Sequence, residues 1–243
     1  MDTRGRIALV TGGAHRVGRA LAVALADAGV RLAINYNSAA TEADALVRDL
    51  TARGIECRAY QSNLAHAGAP EALIAEVARD FGGLDILVNS AAVMQHTPLG
   101  EVSVDVWDTM FALNLRAPFF LSQAARPWLS AAHGCIVNMA DLAAFETWPG
   151  YIPHGISKAG IVQMTRALAH ALAPDVRVNA IAPGAVLLPD AWDEAARSHF
   201  AATTPLRRIG SPADVVEALL YLIRADYVTG DTLLVDGGRH VRT

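Results

Sequence analysis

Lysine is almost missing from this sequence. The chain has 243 residues and Lys+Arg 20, and every basic residue except Lys158 is arginine. Guanidinium stays protonated as a flat fork, whereas ammonium is a compact point charge with a tunable pKa. Lys158 is therefore singled out. Cysteine is nearly as scarce: Cys57 and Cys135 are too few for a disulfide framework and lie in apolar stretches, which predicts buried free thiols. No run of 18 apolar residues occurs, and the short apolar run reaching Thr11 cannot serve as a signal-peptide core with its cleavage site. A soluble cytoplasmic protein without a membrane partner is expected. Basic runs are absent and the formal net charge is −4, so nucleic acid is excluded as a partner. No proline- or serine-rich linker and no fixed-period repeat divides the chain, so residues 1–243 are read as one domain.

What is present is an apolar, alternating chain. Hydrophobic residues make up 53% and charged residues 18%, enough for a sizeable core and too apolar for disorder. Short apolar runs read as strands at Ile7–Val10, Leu32–Ile34, Ile55–Gln61, Ile86–Val88, Ile136–Met139, Val176–Ile181 and Leu233–Val235. Helical stretches lie between them, at about Arg19–Ala28, Thr41–Ala52, Pro70–Phe81, Val104–Leu129, His154–Ala173 and Pro212–Ile223. Such alternation predicts an α/β, doubly wound parallel sheet with helices on both faces.

The first strand runs into Thr11–Gly18, TGGAHRVG, which opens the first helix. Glycines in that place let the backbone approach a pyrophosphate at a helix N-terminus, and a plain tight turn is the alternative. Cofactor choice belongs to the end of the second strand, where an acid would bind a ribose 2′-hydroxyl and repel a 2′-phosphate. Here stand Asn35, Tyr36, Asn37 and Ser38, with no acid before Glu42, and Arg16 adds a cation in the turn. Both features favour NADP over NAD. Asn63 after the third strand either hydrogen-bonds an adenine edge or forms a turn.

The spacing Gly12-x-x-x-Arg16-x-Gly18, followed by Asn89-Ser90-Ala91-Ala92, Asn114, Lys158 and Pro183-Gly184, resembles the short-chain dehydrogenase/reductase family over essentially the whole chain. Arg16 in place of the usual middle glycine, with Asp141 in NMADLAAF, is similar to the pteridine reductases in particular. The resemblance implies a Rossmann-type domain, hydride transfer with NADP(H), a small-molecule substrate and usually a homotetramer. It implies cofactor contacts at Gly12, His15, Arg16, Val17, Gly18, Asn37, Ser38, Asn63, Leu64, Asn89, Ala91, Lys158, Pro183 and Gly184. It also implies a catalytic set of serine, tyrosine, lysine and asparagine. Lys158 and Asn114 match that set, Asp141 falls where pteridine reductases keep an aspartate, and His154 occupies the tyrosine position.

Reduction of a carbonyl or imine needs hydride from one side and a proton from the other. Positions 154 and 158 share a helical face. An imidazole already titrates near neutral pH. The Lys158 charge would favour the neutral ring and hence a base for alcohol oxidation. Asp141, if within ~4–6 Å, would favour imidazolium and hence a proton donor for reduction. The alternatives are a nucleotide-binding protein with weak or no catalysis, and Tyr151, one turn earlier, as stand-in donor. A metal site of His154, Asp141 and His96 has no supporting ligand spacing, so no metal is expected.

Leu187, Leu188, Pro189 and Trp192 to about Thr204 resemble the family's substrate-covering segment, with Trp192 as lid or packing anchor. Met94 and Trp148 are further candidate substrate contacts, with Phe145 beside them. Met94 stands where pteridine reductases stack an aromatic ring on the pterin. The C-terminal residues 239–243 either reach a neighbouring subunit or fray. The two function classes that remain are an NADPH-dependent oxidoreductase of small carbonyl, imine or pterin-like substrates and a regulatory or scaffolding NADP-binding protein.

Overall fold

A computed structural model describes residues 1–188 and 192–241. Pro189, Arg242 and Thr243, each part of a sequence expectation, lie outside the described residues. The chain runs β1 (Ile7–Val10), α1 (Arg16–Asp27), β2 (Arg31–Tyr36), α2 (Ala40–Ala52), β3 (Cys57–Gln61), α3 (Ala69–Phe81) and β4 (Ile86–Asn89). It continues through α4 (Val104–Phe111), a π-helical turn (Ala112–Arg116), α5 (Ala117–Ala132), β5 (Cys135–Met139) and a 3₁₀ turn (Leu142–Ala144). It closes with α6 (Ile152–Leu172), β6 (Arg177–Pro183), α7 (Glu194–Thr203), α8 (Pro212–Arg224) and β7 (Thr232–Val235).

All strand pairs are parallel, in the order β3-β2-β1-β4-β5-β6-β7. Side chains of successive strand residues point to opposite faces. Ala8 and Val10 accordingly pack with Leu21 and Leu25 of α1 and Leu219 of α8. Ile7 and Leu9 pack with Leu73 and Val77 of α3 and Leu121 of α5. Both faces of β1 are thereby covered, which is why its sequence is apolar at every position. Cys57 and Cys135 are buried free thiols as expected, and burial pushes each up to about 11.

Several element limits differ from the sequence reading. Helix α1 begins at Arg16 rather than Arg19, inside the glycine-rich turn. The single helix expected over Val104–Leu129 is broken into two by the π turn. Helix α7 went unread because none of its residues is buried, so no apolar stripe marks it. Its start is local instead, with the Asp193 carboxylate accepting the Ala196 N–H at 2.8 Å.

The strand order reverses between β1 and β4. In such sheets the crevice at the carboxyl ends of the reversing strands is the ligand site. The turn after β1 and the segment after β4 meet there.

Candidate functional site

Thr11, at the end of β1, ties the two loops together. Its Oγ1 accepts the N–H groups of Ser90 at 2.9 Å and Ala91 at 3.0 Å. In the sequence this buried threonine is only the edge of the glycine motif, because its partners are backbone atoms about eighty residues downstream. Gly12 lies against the same loop, with φ +63, and a Cβ there would sit 3.1 Å from Ala91 Cα. At Gly18 a Cβ would sit 2.2 Å from the Gly12 carbonyl oxygen, so the turn closes on the helix only without a side chain. Arg16 takes φ 51 in this turn, a left-handed conformation that costs an L side chain about 1–2 kcal/mol. It is exposed, and among the described residues no carboxylate pairs with it. A free cation is thus held at a helix N-terminus, where anions are favoured.

Asn37 and Ser38 follow β2 and are exposed on the same side of the sheet. Neighbouring His15 is exposed at the α1 N-cap, and Val17 packs partly into the core. Pro183 and Gly184 end β6 beside β7, with the Gly184 N–H donating to the Val235 carbonyl at 2.9 Å. Three expected cofactor contacts turn their side chains elsewhere. Leu64 is a core residue at 3% exposure. Asn63 accepts the Ala65 N–H at 3.1 Å and faces His66 at 3.2 Å, the turn-forming alternative. Asn89 is buried and donates to Asn138 Oδ1 at 2.8 Å, while Asn138 donates to Thr165 Oγ1 at 2.9 Å. That buried polar chain joins β4, β5 and α6 beneath the crevice. For Leu64 and Asn89, therefore, only the backbone remains to meet a ligand.

The second half of the site gathers Asn114, Asp141, His154 and Lys158. Asn114 sits in the π turn, which displaces it from regular helical register toward the loop after β4. Its Oδ1 accepts the Val93 N–H at 2.8 Å and its Nδ2 donates to the Val93 carbonyl at 2.9 Å. His154 and Lys158 lie one turn apart on α6, 2% and 4% exposed. His154 Nδ1 lies 3.3 Å from the Val93 carbonyl oxygen, and Nε2 lies 3.7 Å from Asp141 Oδ2. Nε2 is buried without a hydrogen-bond partner. Asp141 caps the 3₁₀ turn, its Oδ1 accepting the Ala143 N–H at 2.8 Å. Lys158 Nζ donates to the Met139 carbonyl at 2.7 Å. Burial pulls its ammonium down from 10.5 to about 8, and the Asp141 charge works against that shift.

Tyr151 does not share the helix with His154. It is the N-cap of α6, with φ −141, and its ring meets His96 edge-on at 5.3 Å. Pro153 in the first turn starts the helix after it. Trp148 lies 6.3 Å from Tyr151 and donates from Nε1 to Glu146 at 2.9 Å. Met94 and Phe145 are exposed at 49% and 44% on loops that follow β4 and β5. Trp192 tilts against Phe200 of α7 at 5.6 Å, as a packing anchor would. Among the described residues no cluster of three metal-ligating side chains occurs, and no helix is long and apolar enough to cross a membrane.

Residues 12–240 match the family described as enoyl-(acyl carrier protein) reductase. The chain is 33% identical over 240 residues to the 3-oxoacyl-[acyl-carrier-protein] reductase FabG of Staphylococcus aureus, covering 96% of this chain and 98% of that protein. Its structure superposes with a TM-score of 0.92 on a blue fluorescent protein from a metagenomic library in complex with NADPH, at 32% identity and 98% and 99% coverage. A short-chain dehydrogenase/reductase from Serratia marcescens gives the same TM-score of 0.92 at 30% identity, with 99% of this chain and 100% of that one covered.

Proposed function

We propose that this chain, which belongs to the short-chain dehydrogenase/reductase family, reduces carbonyl groups with NADPH and uses His154 as its proton donor. The observation that carries the reading is His154 Nε2, a buried polar atom without a partner, set beside the Asp141 carboxylate at 3.7 Å.

The residues present fit the cofactor. Gly18 leaves no room for a Cβ and Gly12 lies tight against Ala91, so the backbone N–H groups of the turn can approach a pyrophosphate. Arg16, with Asn37 and Ser38 and no acid beside them, suits a 2′-phosphate. Lys158 suits the nicotinamide ribose. NADPH, when bound, supplies the hydride. The protein's own part is the proton: His154 holds it at Nε2, gives it to the carbonyl oxygen as that oxygen gains charge, and is left as neutral imidazole with its proton on Nδ1.

The exposed walls offered by Met94 and Phe145 suit apolar carbonyl compounds. The named relative is a 3-oxoacyl-[acyl-carrier-protein] reductase and no flat ring stands at Met94; both support a β-keto thioester over a pterin as the substrate. A groove lined by Phe111, Leu115, Phe119, Phe120 and Met164 on α4–α6 fits the subunit contact of the homotetramer that the family resemblance implies. Light scattering of the purified protein tests that assembly; a monomer refutes it.

The deciding experiment follows NADPH oxidation against 3-oxoacyl thioesters, simple ketones and oxidised pterins. Turnover of the ketone class is expected. NADPH binding without turnover across the panel assigns the chain to the non-catalytic class instead.

A further inference from the structure

We propose that the Val93 carbonyl, clamped by Asn114, fixes His154 as its Nδ1–H tautomer and makes Nε2 the single proton-exchanging atom of the ring. This rests on the role of His154 proposed above, but it is measured without turnover.

A carbonyl oxygen only accepts hydrogen bonds, so the His154 nitrogen 3.3 Å from Val93 O must carry the proton. The opposite tautomer would set two lone pairs against each other at that distance. The carbonyl cannot swing away, because one amide side chain holds its residue on both sides: Asn114 accepts the Val93 N–H and donates to the Val93 carbonyl. Asn114 is itself 1% exposed and donates to Ser157 Oγ at 3.2 Å. Ser157 Oγ in turn donates to the His154 backbone carbonyl at 2.7 Å. The backbone that carries the ring and the carbonyl that the ring faces are thereby tied to the same amide.

This arrangement inverts the one in Ser-His-Asp triads, where a carboxylate holds Nδ1 and Nε2 faces the reacting group. Here a neutral backbone carbonyl holds Nδ1, and the carboxylate of Asp141 stands on the Nε2 side. At 3.7 Å Asp141 is too far to hydrogen-bond Nε2, which stays open to a ligand. Asp141 therefore does not orient the ring. Asn114 does, as a positioning residue acting through Val93.

The test is a ¹⁵N spectrum of the histidine side chains in the intact protein, at a pH high enough to leave the rings neutral. A His154→Phe variant assigns the His154 signals among the 8 histidines. We expect a protonated Nδ1 and a bare Nε2. A bare Nδ1 in the wild type overturns the proposal. In Asn114→Ala the Nε2–H tautomer is expected to appear, with kcat falling about tenfold or more and NADPH affinity unchanged. A folded Asn114→Ala variant with the wild-type tautomer overturns the clamp. If that variant does not fold, the wild-type spectrum alone decides. Absence of turnover in the substrate panel would sink the reductase reading while leaving this spectrum readable.

Discussion

The carboxylate of Asp141 stands 3.7 Å from Nε2 of His154, on the nitrogen opposite the one that faces the Val93 carbonyl. The cap of the 3₁₀ turn after β5 and a residue in the first turn of α6 are thus set face to face at Nε2, with no hydrogen bond between them. That pairing sets a carboxylate beside the atom that the proposed donor role requires to carry the proton.

If His154 is the donor, its removal should cost the rate and not the cofactor. His154→Ala is expected to lower kcat by about 10²–10⁴-fold, the usual worth of a positioned acid, with the NADPH dissociation constant within about twofold. NADPH oxidation and fluorescence titration measure the two quantities. An Ala variant as fast as wild type removes His154 from the chemistry.

Tyr151 sits outside α6, with its ring against His96 and Trp148. Tyr151→Phe keeps that edge packing and removes only the hydroxyl. Turnover should be unchanged; a loss comparable with that of His154→Ala would make Tyr151 the donor.

The lone lysine permits a clean titration, because its Cε gives one NMR signal. Its midpoint is expected near about 8, the value to which burial brings it. Asp141→Asn should move the midpoint lower still, since the Asp141 charge opposes the shift. The same depression ties stability to pH. Between about 8 and 10.5 the unfolded chain binds a proton that the folded chain has released, so stability rises through that window, by about 3 kcal/mol at most. The buried Cys57 and Cys135 thiols, pushed up from 9.0 to about 11, lose stability above about pH 9 in any variant, so the rise is read as the difference between wild type and Lys158→Met in urea unfolding against pH.

Arg16 holds a left-handed backbone conformation, φ 51, that glycine adopts freely. Arg16→Gly is expected to leave the melting temperature no lower and to cut the preference for NADPH over NADH by about tenfold, the worth of one charge-assisted contact. Cofactor titrations check it; an unchanged preference would place the 2′-phosphate determinant elsewhere.

Gly18 leaves no space for a methyl group, with the Gly12 carbonyl oxygen 2.2 Å from where a Cβ would lie. Gly18→Ala should destabilise the protein by about 3 kcal/mol and weaken NADPH binding at least tenfold, because backbone rather than a flexible side chain must move. Calorimetry and the same titration test it. A variant that keeps both properties would mean that the turn is looser than this packing shows.

The fold was legible because its signals are local. Ile7–Val10 is apolar at each position, as a strand covered on both faces must be, and the glycine turn with its helix follows at once. The positions of His154 and Lys158 were legible too, since four residues on a helix are one turn. Helix α7 was not, because a helix that buries nothing carries no stripe.

Sequence alone named the groups of the candidate site: one ammonium, an imidazole one helical turn before it, and a carboxylate nearby in the chain. Only the tertiary structure decided what each of them faces. Asn89 turned inward to Asn138, Thr11 bridged to Ser90 and Ala91, and Asn114 closed on both sides of Val93. Those partners lie on other strands and loops, brought together where β1 and β4 part. Periodicity reports which face of an element is buried, whereas a hydrogen bond between distant segments depends on packing that no local pattern encodes.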